Sequence, residues 1–298
     1  MEYAFRTVDV FTEQRFGGNQ LAVIADATGL TDLQMQQIAI EFNYSETTFV
    51  LPPAAAENTC EVRIFTPAGE LPFAGHPNVG TAHVLADEGR LGAADAPVLN
   101  ARFEEKAGLV DIAVTFADAA ATVEVRAPRG LDRHAPCDRG VGAALLGLDV
   151  SELGPLQPCY AESGVGFMLV EVADAEVLAR SAAAPEVLGQ HQPDARTTGV
   201  YAFTRHGTSV GHDVRARMFA PLQGIAEDPA TGSAACVLAA VLAAERGEDG
   251  IHRFAIEQGI EMGRPSQLSA QAAIAEAQVD AIHLYGRCVD VMRGVLQI

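Results

Sequence analysis

The sequence predicts an α+β protein made of two units, each a curved β-sheet wrapped around one central helix. A chain of 298 residues, 49% of them hydrophobic, is long enough for two ordinary domains with substantial cores. The segment 234–244 has no polar side and the segment 79–86 is largely apolar. Because a helix that is apolar all round must be surrounded by other structure, both segments are predicted to be central helices. Strand-like segments recur in both halves of the chain and supply that surround.

The N-terminal segment is predicted to form a hairpin followed by a helix. Residues 7–11 and 20–25 have the composition of strands, and Phe-Gly-Gly-Asn at 16–19 tolerates the positive φ that a tight connection needs. Thr-Asp-Leu-Gln at 31–34 fits a capping box, and apolar residues then recur at helical spacing over 33–42. We expect a surface helix there.

Further strands are indicated by residue type and by alternation. Residues 44–51 are rich in Thr, Phe and Val, and residues 60–66 alternate apolar with charged side chains. The same signals return at 109–125, 166–172, 200–203 and 214–219. Since these segments fall in both halves of the chain, each unit has strands of its own.

The boundary between the units is expected where the strand pattern is interrupted. Asp-Ala-Ala-Ala-Thr at 118–122 and Pro-Arg-Gly at 128–130 are the interruptions nearest the middle of the chain. A break there gives an N-terminal barrel domain, 1–120, and a C-terminal barrel domain, 121–284, of ordinary size. For the C-terminal strand, at about 285–298, one alternative is a return to the N-terminal domain instead of a place in the second.

Composition limits the classes of partner and the compartment. A net charge of −19 and a pI near 4.7 give no basic footprint for phosphate backbones, so no nucleic-acid partner is expected. Five scattered cysteines without a CxxC pair are typical of reduced thiols in a cytoplasmic protein. The acidic N-terminus has no signal-peptide pattern, and the longest apolar stretch is too short to cross a bilayer. We expect a soluble cytoplasmic protein with no membrane partner.

Two short segments share a plan that locates the candidate active site. Glu-Leu-Pro-Phe-Ala-Gly-His-Pro at 70–77 and Glu-Asp-Pro-Ala-Thr-Gly-Ser at 227–233 each run into an apolar, helix-like stretch. Pro and Gly end an extended run in both, and the free backbone N–H groups that open the next helix suit a carboxylate or another anion. Two such sites facing each other would hold one small anionic metabolite.

With these segments in place, the chain resembles the PhzF-like family of phenazine biosynthesis, within the diaminopimelate epimerase-like superfamily. The matching pieces run in family order over most of the chain, which makes the set specific although a single Gly-His-Pro is not. They are Val-Asp-Val-Phe at 8–11, Gly-Asn-Gln-Leu-Ala-Val at 18–23, Tyr-Ser-Glu-Thr-Thr-Phe at 44–49, Arg-Ile-Phe-Thr-Pro at 63–67, the segment 70–77 with Gly-Thr at 80–81, and Asp-Pro-Ala-Thr-Gly-Ser-Ala at 228–234.

The resemblance implies a fold, an assembly and a reaction. Family members have two pseudo-symmetric domains, each a barrel-like sheet around a central helix, with the active site in the cleft between them. They are typically homodimers and need no metal or organic cofactor. The best-known activity isomerises trans-2,3-dihydro-3-hydroxyanthranilate by moving a proton between ring carbons. Alternatives are a racemase, epimerase or isomerase of another small metabolite, and a non-catalytic small-molecule-binding protein.

Glu46 and His76 are the leading candidates for proton transfer. In a strand, Glu46 lies on the same face as Thr48 and Val50, and a core-facing placement would raise its pKa toward that of a useful base. The pattern alone favours an ordinary surface acid, whereas the match at 44–49 favours the catalytic base. His76 opens a helix beside Pro77, where an imidazole can relay a proton or bind a substrate hydroxyl, or only pack the junction.

The second loop offers a parallel set of candidates. Asp228 and Ser233 bracket it, and each residue type commonly caps a helix. The resemblance assigns Asp228 to acid–base support and Ser233 to substrate binding. It also implies that Gly75 and Gly232 let backbone N–H groups approach the substrate carboxylate.

Cysteine and histidine placement argues against two other site types. Racemase relatives use one thiol from each loop, but neither loop here contains Cys, and Cys236 is expected to be a packed core thiol. A two-thiol racemase is therefore disfavoured, whereas a single carboxylate working on one face is not. The pairs His206 with His212 and His134 with Cys137 match no standard zinc spacing, so we interpret all four as surface residues, the first pair on a hairpin.

Overall fold

The computed structural model describes residues 1–92, 96–117, 120–127, 129–192 and 197–298. Strands dominate these residues and helices are few, which confirms the α+β prediction. The elements in chain order are β1 (Glu2–Val10), β2 (Asn19–Ile24), α1 (Asp32–Phe42), β3 (Glu46–Leu51), β4 (Cys60–Thr66), β5 (Gly69–Leu71), α2 (Gly75–Asp87), β6 (Val98–Glu105), β7 (Gly108–Ala117), β8 (Ala120–Arg126), β9 (Asp132–Pro136), α3 (Arg139–Leu145), a 3₁₀ turn (Val150–Glu152), β10 (Cys159–Glu162), β11 (Gly166–Glu171), α4 (Ala175–Arg180), α5 (Pro185–His191), β12 (Thr197–Thr204), β13 (Val214–Ala220), a 3₁₀ turn (Pro221–Gln223), β14 (Ile225–Asp228), α6 (Gly232–Arg246), β15 (Gly250–Gln258), β16 (Ser266–Ala275), β17 (Gln278–Gly286) and β18 (Cys288–Gln297).

The chain divides into two compact units. The first is Met1–Pro128 with Leu284–Ile298, and the second is Arg129–His283. In the first unit, β18 pairs antiparallel with β1 from Glu2 opposite Gln297 to Val10 opposite Cys288. That the ranges 1–120, with 285–298, and 121–284 are two separate domains stays a prediction.

The predicted N-terminal elements are confirmed. Strands β1 and β2 pair as an antiparallel hairpin, β3 adds to β2 in parallel, and β4 follows antiparallel. Thr31 and Gln34 form the predicted capping box at the start of α1. At the hairpin connection Gly18 has φ +62°, and a Cβ there would lie 2.3 Å from the Val10 carbonyl oxygen. Only glycine fits that position.

Helix α2 is the central helix of the first unit. Eleven of its thirteen residues are buried, and it packs against β1, β2, β3, β7, β8 and β18. A Cβ at Gly80 would lie 2.5 Å from Leu21 Cδ2 and 2.9 Å from Val10 Cγ2. The helix therefore approaches the first hairpin as closely as it does because position 80 has no side chain.

Helix α6 is the corresponding helix of the second unit. Eleven of its fifteen residues are buried, and it packs against β10, β11, β15 and β16. The expectation that an apolar helix at 234–244 is surrounded by strands is confirmed, and the helix extends by two residues at each end. None of the described helices is both long and apolar enough to span a membrane.

The second unit is built from mixed strand pairs. Strands β9, β10 and β11 pair antiparallel in that order, β12 joins β11 in parallel, and β13 joins β12 antiparallel. Strands β15 and β16 pair antiparallel along their length, and β15 joins β13 in parallel. His206 and His212 lie on the connection between β12 and β13, so the expected hairpin there is confirmed.

One predicted interruption is wrong in part. The segment 118–122 was expected to break the strand pattern, but Ala121 and Thr122 continue β8 opposite Phe116 and Thr115 of β7. Ala and Thr are compatible with a strand, and the cross-strand pairing with β7 overrides their weak local signal. Residues 93–95, 118–119, 128 and 193–196 lie outside the described residues.

Candidate active site

Glu46 and His76 form a largely buried pair in the first unit. Glu46 is the first residue of β3, and His76 is the second residue of α2. The distance between Glu46 Oε2 and His76 Nε2 is 3.3 Å, and the two side chains are 12% and 5% exposed. Two of the predicted site residues thus meet in space, and the alternative that Glu46 is an ordinary surface acid is wrong.

The alternation of β3 explains why Glu46 points inward. Residues two apart share a face of a strand, so Glu46 and Thr48 point the same way. The Thr48 hydroxyl lies 2.9 Å from the Thr81 hydroxyl of α2, which identifies this face as the one turned toward the helix. The same packing that buries Thr48 therefore carries the Glu46 carboxyl to His76 at the helix start.

The environment of His76 keeps its imidazole neutral. Burial lowers the pKa of His76 to about 3, although a hydrogen bond with the Gln20 backbone acts in the opposite direction. Asn19 Nδ2 lies 3.4 Å from Nδ1 of the ring, and the Ser45 hydroxyl donates to Asn19 Oδ1 at 3.3 Å. A neutral ring with these neighbours can donate one hydrogen bond and accept another.

The start of α2 is suited to an anion. Its N-cap residue, Ala74, makes no side-chain capping hydrogen bond, and the first turn contains no acidic residue. The Asn78 amide donates to the Ala74 carbonyl at 3.0 Å, which fixes the loop just before the helix. Backbone N–H groups and the positive end of the helix dipole are therefore available for a carboxylate near Gly75 and His76.

Glu105 is a buried carboxyl that the sequence reasoning missed. It is the last residue of β6, and both its side-chain oxygens are shielded from solvent. Burial raises the pKa of Glu105 to about 8, and the Asn78 side chain only partly offsets that effect. A signal was present in the sequence, because Glu105 has the same parity as the buried residues Leu99 and Phe103 of β6.

The predicted residues of the second loop lie in the second unit. Asp228 ends β14 and is 9% exposed, and its carboxylate accepts a hydrogen bond from the Thr231 hydroxyl. Gln258, which is fully buried, donates to the Asp228 carbonyl at 2.8 Å. Its own side-chain oxygen accepts from the Tyr201 hydroxyl at 3.0 Å and from the Thr231 N–H at 3.2 Å. These contacts tie the loop between β14 and α6 to β12 and β15.

The interpretation of Asp228 or Ser233 as the helix cap is wrong. Helix α6 begins at Gly232, so Thr231 occupies the N-cap position and Ser233 lies inside the first turn. The Asp228 carboxylate instead accepts a hydrogen bond from the Thr231 hydroxyl and lies outside the helix. The hydroxyl of Thr231 is thereby directed toward Asp228 and not toward the helix N–H groups.

The cysteines behave as expected of core or isolated thiols. All five are free, and Cys236 lies buried within α6. Burial raises the pKa of Cys236 to about 12, so its thiol is protonated at neutral pH. The expected core role of Cys236 is confirmed, and neither loop presents a thiolate base.

The strands and central helices described above have the diaminopimelate epimerase-like fold. The chain matches the model of the phenazine biosynthesis-like protein family over residues 8–294 and belongs to that family, which confirms the resemblance. Like its relatives, it is an enzyme of the isomerase class.

Individual relatives match over nearly the whole chain. An uncharacterized isomerase of Mesorhizobium japonicum is 38% identical over 299 residues, which cover 97% of each chain. The trans-2,3-dihydro-3-hydroxyanthranilate isomerase of Pseudomonas aeruginosa is 34% identical over 95% of each chain. Among solved structures, a phenazine biosynthesis protein of the PhzF family from Bacillus anthracis covers 100% of both chains with a TM-score of 0.89 at 25% identity.

Proposed function

We propose that this isomerase moves a proton between two carbons of a small cyclic or conjugated acid, with Glu46 as the acid–base residue. A substrate such as trans-2,3-dihydro-3-hydroxyanthranilate is supported by the name of the Pseudomonas aeruginosa relative. The single observation that carries the proposal is the enclosed contact of 3.3 Å between the Glu46 carboxyl and the imidazole of His76.

The pair suits a carboxyl that must both remove and return a proton. The ring nitrogen of a neutral imidazole can donate to an ionised carboxylate in one tautomer and accept from a protonated carboxyl in the other. Because burial keeps His76 neutral at pH 7, neither state places a second charge beside the carboxyl. A single carboxyl that acts on one face gives isomerisation without any catalytic thiol.

The substrate carboxylate is proposed to bind at the backbone N–H groups that open α2, beginning at Gly75. There the partial positive charge of the helix end also stabilises the electron density that spreads into the conjugated acid when the carbon loses its proton. Gly232 and Ser233 are proposed as further substrate-binding residues and Asp228 as acid–base support. The hydrogen bond from the Gln258 amide to the Asp228 carbonyl holds the backbone at Asp228 in place. This contact supports a role that depends on the orientation of the Asp228 carboxylate.

The oligomeric state, the compartment and the pathway of the enzyme are also proposed. We propose that the enzyme is a cytoplasmic homodimer that acts in phenazine formation or on a related metabolite, which family membership supports. Light scattering of the purified full chain measures the mass directly. A monomeric mass at micromolar concentration would contradict the dimer.

Deuterium incorporation tests the proposed chemistry. The full chain is incubated in deuterated water with trans-2,3-dihydro-3-hydroxyanthranilate, and the product is analysed by NMR and mass spectrometry. We expect product that carries one carbon-bound deuterium, and a loss of about 10²- to 10⁴-fold in kcat for Glu46→Gln, as for removal of a general acid–base group. Glu41→Gln, in an exposed position of α1, is the matched control and should retain the unchanged rate.

The outcomes separate the alternatives. Full activity of a folded Glu46→Gln protein would show that another group is the base. Exchange with other small acids but not with this substrate would keep the acid–base chemistry and change the metabolite. No exchange with any acid that binds would favour the non-catalytic binding protein.

A further inference from the structure

Three side chains of types that bind metal ions lie close together on the strand pair β9–β10 in the second unit. Asp132 and His134 are two residues apart on β9, and Glu162 lies directly opposite Asp132 on β10. One ligand atom from each lies within 4.8 Å of the others. Arg133, between the first two, points to the other face and pairs there with Glu245. The alternation of β9 places Asp132 and His134 on one face, and the pairing with β10 adds Glu162, whereas the Arg133 guanidinium lies on the opposite face.

The histidine lies at a bulge in this strand pair. Ala161 pairs with Arg133 but Cys159 pairs with Pro136, so two residues of β9 lie opposite Tyr160 alone. Bulges re-aim side chains and are frequent next to functional sites. His134 stacks edge-on against Tyr160 with ring centroids 4.7 Å apart. Its Nε2 is shielded from solvent and has no hydrogen-bond partner among the described residues.

The tyrosine also holds the buried carboxylate. The Tyr160 hydroxyl donates to Glu162 Oε2 at 3.3 Å, and Glu162 is 5% exposed. The chain keeps room for this ring, because a Cβ at Gly166 would lie 1.9 Å from the Tyr160 hydroxyl. An outer group that orients a ligand in this way is a regular feature of metal sites in proteins.

We propose that Asp132, His134 and Glu162 bind one divalent transition-metal ion, with zinc as the best match. One imidazole nitrogen and two carboxylate oxygens favour a transition metal over Mg²⁺ or Ca²⁺, and three protein ligands leave a position for water. The ion would neutralise the carboxylates of Asp132 and Glu162, which lie directly opposite each other across the strands. Like charges in directly opposite positions are unfavourable for strand pairing. Bond lengths of about 2.1 Å require the ligands to move closer, which rotation of the exposed Asp132 side chain permits.

The role of the site differs from that of Glu46 and His76. The ion would clamp β9 to β10 and fix the bulge, so it stabilises the folded second unit by binding it preferentially. It is distinct from the pair His134 and Cys137 considered from the sequence. The Cys137 sulfur lies against the Asp138 carbonyl at 3.6 Å, and burial raises the pKa of that thiol.

The test is zinc binding by the full chain after treatment with a chelator. Equilibrium dialysis against zinc chloride should give one ion per chain, and the melting temperature should rise with zinc concentration. His134→Ala and Asp132→Asn should weaken binding at least ten-fold, whereas His206→Ala, an exposed histidine on the β12–β13 connection, should leave it unchanged. Circular dichroism of each variant confirms folding, and the exposed Asp132→Asn keeps the test usable if His134→Ala fails to fold.

Cobalt substitution separates this site from the cysteines. Cobalt bound by His134 and the two carboxylates should give weak visible bands without the intense ultraviolet band of a cobalt–thiolate bond. Equal zinc affinity in the unchanged protein, His134→Ala and Asp132→Asn would mean adventitious ions only and would overturn the proposal. An intense thiolate band at one cobalt per chain would overturn it as well.

Discussion

Replacing Glu105 with Gln should stabilise the protein, and more so as the pH rises. The carboxyl is enclosed at the end of β6, where burial raises its pKa to about 8 from the ordinary 4.5. A raised pKa means that the folded chain holds a proton which the unfolded chain releases above about pH 4.5. The folded state therefore loses stability as the pH rises from about 4.5 through about 8. Gln has a similar shape and no charge, so it removes this loss.

The size of the effect follows from the pKa difference. Once Glu105 is ionised in both the folded and the unfolded state, the loss in the free energy of unfolding amounts to roughly 5 kcal/mol. Roughly 3 kcal/mol of this loss develops between about pH 5 and about pH 8. Urea denaturation at the two pH values, followed by circular dichroism because the chain has no tryptophan, gives the free energy of unfolding for each protein. The gap between Glu105→Gln and the unchanged protein should widen by about that amount at the higher pH.

The neighbouring residue Glu104 provides a control of opposite sign. Its carboxylate accepts hydrogen bonds from the Ala54 N–H at 2.7 Å, the Ala55 N–H at 2.9 Å and the Asn58 amide at 2.7 Å. These bonds lower the pKa of Glu104, so its contribution to stability is present at neutral pH and is lost in acid. Glu104→Gln should therefore destabilise most at neutral pH. The reasoning fails if the gap for Glu105→Gln is the same at both pH values.

Two further predictions concern the central helix of the first unit. Because the pKa of His76 is lowered to about 3 from 6.5, its stability contribution is complete above about pH 6.5 and falls in acid. Between about pH 6.5 and about pH 5, the free energy of unfolding measured in urea should fall by roughly 2 kcal/mol less for His76→Asn than for the unchanged protein. An equal fall in both proteins would contradict the burial of the ring. Gly80→Ala should destabilise by about 1–3 kcal/mol through the contact with Leu21. The same change at Gly189 of α5, where a Cβ meets nothing within 4 Å, should stabilise, and equal effects at both positions would contradict the close approach of α2.

The elements that the sequence predicts well are those with a local cause. The capping box of Thr31 and Gln34 fixes the start of α1 through hydrogen bonds within three residues. The alternation over 60–66 matches the bounds of β4, and the apolar stretch at 234–244 lies at the centre of α6. Each signal is complete within one element, so no knowledge of the tertiary fold is needed to interpret it.

The contact between Glu46 and His76 has a different origin. The sequence supplies two candidate residues, but the distance of 3.3 Å between Glu46 Oε2 and His76 Nε2 depends on how deeply α2 packs against the β1–β2 hairpin. Gly80 permits that depth, and nothing in the local pattern distinguishes it from a glycine that merely ends a turn. For the same reason the pattern alone favoured a surface position for Glu46.

Glu105 and His134 show what residue type and spacing along the chain do not reveal. A glutamate at the end of a strand is usually solvated, but the parity of Glu105 with Phe103 places it inward, beside the first turn of α2. His134 has no zinc spacing along the chain, because the proposed co-ligand Glu162 lies near it through the register of β9 against β10. Ligand spacing in sequence detects sites that one loop or helix builds, whereas register detects sites that two strands build. In a chain dominated by strands, the second kind of site is found only once the pairing of the strands is known.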